Sequence, residues 1–191
     1  MPARPATRHC SGRRLRGIVA MTNAGVEIRP LDAVTVAVLA EAFGGPGWNK
    51  SPDQYERYLV QHEAGEIECV VAWVGDELAG YLKVVWEPDY EPLRSRGVPE
   101  IQDLNVLEPF RRRGVASRLL DRAEELVAQR SDVVGIGVGL HPGYNAAQRL
   151  YVLRGYVPDA RGVTYGDHFV AERDRVRMDD GLVLHFEKQL R

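Results

Sequence analysis

Cysteine is nearly missing from this 191-residue chain, with Cys10 and Cys69 its only two. That excludes a disulfide framework and a cysteine-based zinc site. Histidine is sparse as well: His9, His62, His141, His168 and His185 nowhere show H-x-x-x-H spacing, so no metal is expected. No apolar run, Val133–Leu140 included, approaches the ~20 residues a membrane-spanning helix needs. Gly17-Ile18-Val19-Ala20-Met21 falls short of the roughly 7–15 residues of a signal-peptide core, so a cytoplasmic location is expected rather than secretion. Lysine is scarce, 3 against 22 arginines, and beyond the first twenty residues basic and acidic side chains are interleaved. Nucleic acid is therefore not an expected partner, and neither is a membrane. No G-x-x-x-x-G-K-S/T occurs, and no G-x-G-x-x-G follows a strand, which argues against a nucleotide triphosphatase and a Rossmann dehydrogenase.

What is present is the composition of a soluble globular protein, 45% hydrophobic and 27% charged. The formal net charge of -2 hides an asymmetry. Arg4, Arg8, Arg13, Arg14 and Arg16 stand without an acid in the first twenty residues, while the rest carries 20 basic against 27 acidic residues. Residues 1–24 are expected to be a basic, disordered N-terminal extension, with Met21 an alternative start, and residues 25–191 a single domain.

Hydrophobic periodicity gives the elements. Val26–Pro30 alternates as a short strand. Ala33–Phe43 is a helix with Asp32 as N-cap, and Ser51-Pro52-Asp53 starts another that buries Tyr55, Tyr58, Leu59 and His62. Cys69–Val74 and Glu77–Trp86 flank the turn Gly75-Asp76 as an antiparallel hairpin. Glu87–Pro99 reads as a loop and Glu100–Leu107 as a strand. Val115, Leu119, Ala123, Leu126 and Val127 line one face of a helix over Val115–Arg130. Val133–Gly139 is a glycine-interleaved buried strand, Asn145–Arg154 a helix closed by Gly155, and Leu182–Glu187 a last strand. Pro158–Gly181 holds at most a short strand near Val163-Thr164-Tyr165. Consecutive strands without intervening helices make the fold α+β rather than doubly wound.

The informative segment runs from Glu100 to Leu120: a strand, the turn Arg111-Arg112-Arg113-Gly114, and a long amphipathic helix. The first amides of a helix lack intrahelical partners, and its dipole favours an anion there. Three arginines add charge, while Gly114, Ala116 and Ser117 let a phosphate approach the backbone. A diphosphate is the natural guest.

Arg111-x-x-Gly114-x-Ala116 after a strand is similar to the Gln/Arg-x-x-Gly-x-Gly/Ala coenzyme A loop of the GNAT (GCN5-related N-acetyltransferase) superfamily. Asn145-Ala-Ala-Gln-Arg-Leu-Tyr151-Val-Leu-Arg-Gly155-Tyr156 resembles that family's later helix, with Gln148 standing where alanine is common. The resemblance covers about Val26 to Leu190. It implies a GNAT fold: a mixed, mostly antiparallel sheet of seven strands flanked by about four helices, splayed between the Glu100–Leu107 and Val133–Gly139 strands. Acetyl-coenzyme A would lie in the V, held by Arg111, Arg112, Arg113, Gly114, Val115, Ala116, Ser117 and Asn145. Leu104, Asn105 and Val106 would flank its pantetheine arm. The alternation slips at Asp103-Leu104, which fits a β-bulge; in such a family a bulge frees an amide to polarise the thioester carbonyl.

By the same resemblance Glu100, eleven residues before Arg111, is the expected general base, with Asp103 second, and Tyr151 the general acid for the departing thiolate. Glu87, Asp89, Glu91, Asp167, Asp179 and Asp180 make the acceptor loops acidic, which would attract a cationic amine. Trp48, Trp86, Tyr90 and Tyr165 are placed either to wall a pocket or to anchor loops. The expected activity is transfer of acetyl to a primary amine, small molecule or protein, by direct attack in a ternary complex, in a monomer or homodimer. The alternative is a non-catalytic acyl-coenzyme A sensor, which would need neither Glu100 nor Tyr151.

Overall fold

The structure is a computed structural model that describes residues 25–45, 48, 50–166 and 168–191. The expectations for residues 1–24 and for Asp167 lie outside the described residues. The strands are β1 (Val26–Pro30), β2 (Ile67–Val74), β3 (Glu77–Val85), β4 (Glu100–Val106), β5 (Val133–Gly139), β6 (Val157–Tyr165), β7 (His168–Phe169) and β8 (Leu182–Gln189). They form one sheet in the order β1-β2-β3-β4-β5-β8-β6-β7, antiparallel except for β4 against β5. The helices are α1 (Ala33–Phe43), α2 (Pro52–Glu63), α3 (Glu91–Arg94), α4 (Val115–Val127) and α5 (Asn145–Leu153).

Each expected element is present, and local chemistry accounts for the boundaries. Asp32 caps α1 by accepting from the Thr35 amide at 2.8 Å, a contact worth about 1 kcal/mol. Pro52 occupies the first turn of α2, where its missing N–H costs nothing. Gly155, at φ 86°, closes α5, and the Tyr156 amide donates back to the Tyr151 carbonyl at 3.0 Å.

β2 is buried on both faces. Cys69 and Val71 face α1 and α2 with Leu39, Phe43 and Tyr55, whereas Val70 and Ala72 face α4 with Leu119, Leu120 and Ala123. A strand buried on both faces cannot alternate with polar residues. The sheet is the middle of three layers.

The expected fold is present, with counts that differ slightly: eight strands where seven were expected, and five helices where about four were. The extra helix is a single turn, α3, initiated by Pro92 within the segment read as a loop. The extra strand is the two-residue β7, and β6 is nine residues long where only a short strand was expected. β6 escapes hydrophobic reading because it pairs with β8 at both ends but bulges between Pro158 and Val163, with Ala160 and Gly162 at φ 62° and 89°. Most of its side chains remain exposed, so no apolar alternation marks it. Among the described residues, no helix is long and apolar enough to cross a membrane.

Candidate active site

β4 and β5 pair only at Glu100↔Gly135 and Ile101↔Ile136, then diverge. The gap is a cavity of about 380 Å³ lined by residues from β4, β5, β8, α5 and the connecting loops, with Glu100, Asp103 and Tyr151 all on its wall. Leu104 and Asn105 line it as well. The expected bulge is present: Tyr81 pairs with Asn105 and Lys83 with Gln102, leaving Asp103 and Leu104 opposite Leu82 alone. Asp103 takes a left-handed φ of 57° to achieve this.

Glu100 is 3% exposed. Its Oε2 accepts from Gln102 Nε2 at 2.7 Å, and its Oε1 lies 3.4 Å from His185 Nδ1. The His185 ring is stacked on Tyr90, 3.6 Å between centroids and 3° between planes. Tyr90 is fixed in turn by donating its hydroxyl to Asp159 at 2.6 Å. A Cβ at Gly137 would crowd the Val183 side chain at 3.0 Å and meet Glu100 Oε1 and His185 Cε1 in ordinary contact at 3.5 Å.

Asp103 is engaged quite differently. Its carboxylate accepts from Tyr81 at 2.8 Å, Tyr58 at 3.0 Å, Gln54 at 3.1 Å, Asn105 at 2.9 Å and the Lys50 ammonium. Burial would raise its pKa, but the Lys50 charge and hydrogen bond, with the Tyr81 and Tyr58 hydroxyls, outweigh that and hold the acid below the ordinary carboxylate value. A carboxylate so fully occupied is a poor proton acceptor and a good anchor for the bulge.

Tyr151 is 4% exposed and faces the same cavity. Burial, then the neighbouring Tyr144, push its hydroxyl above the ordinary tyrosine value, so it stays protonated at neutral pH. Tyr144 and His141 reach Asp180 Oδ1 at 3.1 and 2.8 Å, tying the start of α5 to the segment before β8. Ala147 lines the cavity, while Gln148, which stands where alanine is common in the family, turns its amide to the Gly139 carbonyl at 2.9 Å. Asn145 begins α5 exposed, and it does not line the cavity.

Beyond β4, Gly114 is the N-cap of α4 with φ 83°, and no side chain caps the helix. Arg112 is also left-handed, at φ 60°. The first-turn amides of Val115, Ala116 and Ser117 thus keep their hydrogen-bonding capacity for an external acceptor. Arg111, Arg112 and Arg113 are exposed around them; Arg111 Nε donates to the Val106 carbonyl at 3.1 Å, linking the turn to the end of β4. Cys69 stands apart from the cavity, with burial pushing its thiol up to about 12. Among the described residues, no group of three or more His, Cys, Asp or Glu side chains is arranged to hold a metal ion.

A sequence profile described as the acetyltransferase (GNAT) family matches residues 35–156, which contain β4, the glycine turn, α4 and α5. The chain belongs to the GNAT family. No curated protein matches it, but solved structures share its fold. The spermidine/spermine N-acetyltransferase SpeG of Vibrio cholerae superposes with a TM-score of 0.61 at 16% identity, over 90% of this chain and 95% of that one. The Salmonella typhimurium acetyl transferase that modifies the N-terminal serine of ribosomal protein L7/L12 gives 0.64 at 15% identity, over 87% and 95%. The ribosomal L7/L12 α-N-protein acetyltransferase RimL, in complex with coenzyme A, gives 0.63 at 15% identity, over 87% and 94%.

This GNAT chain also holds site residues that its sequence did not single out. His185 and Thr164 sit behind Glu100, beside the already named Tyr90, and Lys50, Gln54, Tyr58 and Tyr81 converge on Asp103. The one signal for His185 was its place on the face of β8 opposite Leu182, Leu184 and Phe186, beside Val183, which also lines the cavity. Of the four aromatic residues expected to wall a pocket or anchor loops, Tyr90 lines the cavity, whereas Trp48 packs on Phe43, Trp86 lies under Arg130 and Tyr165 donates to Asp179.

Proposed function

We propose that the chain is an N-acetyltransferase that moves acetyl from acetyl-coenzyme A to a primary amine by direct attack. The observation that carries this reading is the meeting of Glu100 and Tyr151 on one cavity, at the place where β4 and β5 part. A binding module would need neither.

The cofactor, when bound, supplies an acetyl thioester. The left-handed turn at Gly114, the first-turn amides of α4 and Arg111, Arg112 and Arg113 would hold its diphosphate, because an uncapped helix start and adjoining guanidinium groups favour phosphate. Leu104, Asn105 and Val106, on β4 past its last pairing with β5, offer backbone groups to an amide-bearing arm. The bulge at Asp103-Leu104 takes backbone out of the ladder beside the cavity, a source of amide donors for charge developing on a carbonyl oxygen.

An attacking amine has to lose a proton, and Glu100 is the acceptor best placed on the cavity wall. Asp103 is saturated by its donors and anchors the bulge instead. Tyr151 presents a proton to the departing sulfur. Among the described residues a cysteine acyl-enzyme finds no support, since Cys69 is buried away from the cavity. Asp89 and Asp180 on the cavity wall favour a cationic acceptor, as do the polyamine and protein amine that the named structural relatives acetylate.

A panel of small amines and amino-terminal peptides, read by release of free thiol from acetyl-coenzyme A, tests this directly. Turnover with at least one amine is expected, with Tyr151→Phe lowering kcat by about 10²-fold and leaving cofactor affinity nearly intact. A panel that releases no thiol above the blank, with cofactor bound, contradicts the reading and points to a sensor.

A further inference from the structure

We infer that His185 is a positioning residue for Glu100, its Nδ1–H edge facing one carboxylate oxygen while Thr164 fixes the ring's tautomer. The inference rests on the reading of the cavity as an acyl-transfer site. Both side chains are buried, Glu100 at 3% and His185 at 7% exposure, so neither has bulk water to satisfy it. The nearest carboxylate atom to Nδ1 is Glu100 Oε1, 3.4 Å away, close enough for an ion pair though not aligned as a hydrogen bond, and Nδ1 has no hydrogen-bond partner among the described residues. On the opposite edge of the ring, Nε2 is 3.2 Å from the hydroxyl of Thr164, itself 1% exposed.

An imidazole beside a carboxylate is best served by a proton at the nitrogen facing it. That leaves Nε2 as an acceptor, and a threonine hydroxyl can donate to it. The Tyr90 ring, locked by Asp159, blocks tilting of the imidazole. Gln102 fixes the other carboxylate oxygen, so the lone pairs of Glu100 that remain are those available to an acceptor amine.

Two measurements test this on the full chain. The first needs no ligand: ¹⁵N-imidazole NMR near pH 8, with the His185 signals assigned by their loss in His185→Asn, is expected to show a neutral ring protonated at Nδ1. Thr164→Val is expected to raise the Nε2–H population. A wild-type ring carrying its proton at Nε2 overturns the inference.

The second is kinetic, with the best amine of the panel. His185→Asn places an amide donor near the Nδ1 position and is expected to keep kcat within about tenfold, whereas His185→Gln places it near Nε2 and should lose about 10- to 100-fold more. KM for acetyl-coenzyme A should stay within about twofold for both, as expected for a residue that acts only on the base. Equal losses in the two variants, or a loss confined to KM, would also overturn the inference. Should either variant fail to fold, the tautomer measured for wild type and Thr164→Val decides. A wild-type chain with Nδ1–H but no thiol release would sink the acyl-transfer reading alone; thiol release with an Nε2–H ring would sink the positioning role alone.

Discussion

Two carboxylates three residues apart on β4 face one cavity and have opposite surroundings. Asp103 accepts from five side chains, while among the described residues the polar neighbours of Glu100 are Gln102 and the edge of His185. Hydrogen bonds to a charged group are each worth about 1.5–3 kcal/mol, so withdrawing Asp103 from its network costs far more than turning Glu100 toward a substrate. The depressed pKa of Asp103 has a consequence for stability. Its folded value lies below the unfolded one, so its contribution is complete above about pH 4 and is lost as pH falls through the folded value. Asp103→Asn is expected to destabilise the protein near neutrality by about 2 kcal/mol and to flatten the acid limb of the stability curve below about pH 4. Chemical denaturation across that range checks both; an unchanged acid limb would mean that Asp103 titrates as an ordinary carboxylate. The sequence named Asp103 through its broken alternation, but its donors at positions 50, 54, 58 and 81 come from three other segments. Only folding brings them together, and no periodicity encodes that convergence.

At the scale of elements, the parts with strong local chemistry were legible and the parts held by tertiary pairing were not. α1 is found within its expected bounds because Asp32 caps it and Gly44 follows it. α4 was legible from its apolar stripe, Val115, Leu119, Ala123 and Val127 all being buried. β6 was not, since its order comes from backbone pairing with β8 rather than from burying alternate side chains. The glycine turn before α4 was visible as a motif, and its geometry adds the reason for glycine. At φ 83° a residue with a Cβ is strained by about 1–2 kcal/mol, which the turn relieves by moving. Gly114→Val is therefore expected to weaken acetyl-coenzyme A binding about tenfold or more while the circular dichroism spectrum is kept. Unchanged affinity by calorimetry would show that the α4 turn does not hold the cofactor.

At the scale of the whole molecule, one sheet carries both halves of the chemistry. β1 to β4 with α1 and α2 build the wall that bears Glu100 and Asp103, and β5, β8 and α5 build the wall that bears His185 and Tyr151. Within the sheet the two walls are joined through two residue pairs, Glu100↔Gly135 and Ile101↔Ile136. A ligand lying in that gap bridges them and binds the folded chain but not the unfolded one. Acetyl-coenzyme A at about 100 times its Kd should then add about 2.7 kcal/mol of stability, a rise in Tm of roughly 5–11 °C for a chain of this size. A thermal-unfolding titration with acetyl-coenzyme A is the most direct measurement: the account predicts a saturable rise of that order, and a flat Tm up to millimolar ligand would contradict it.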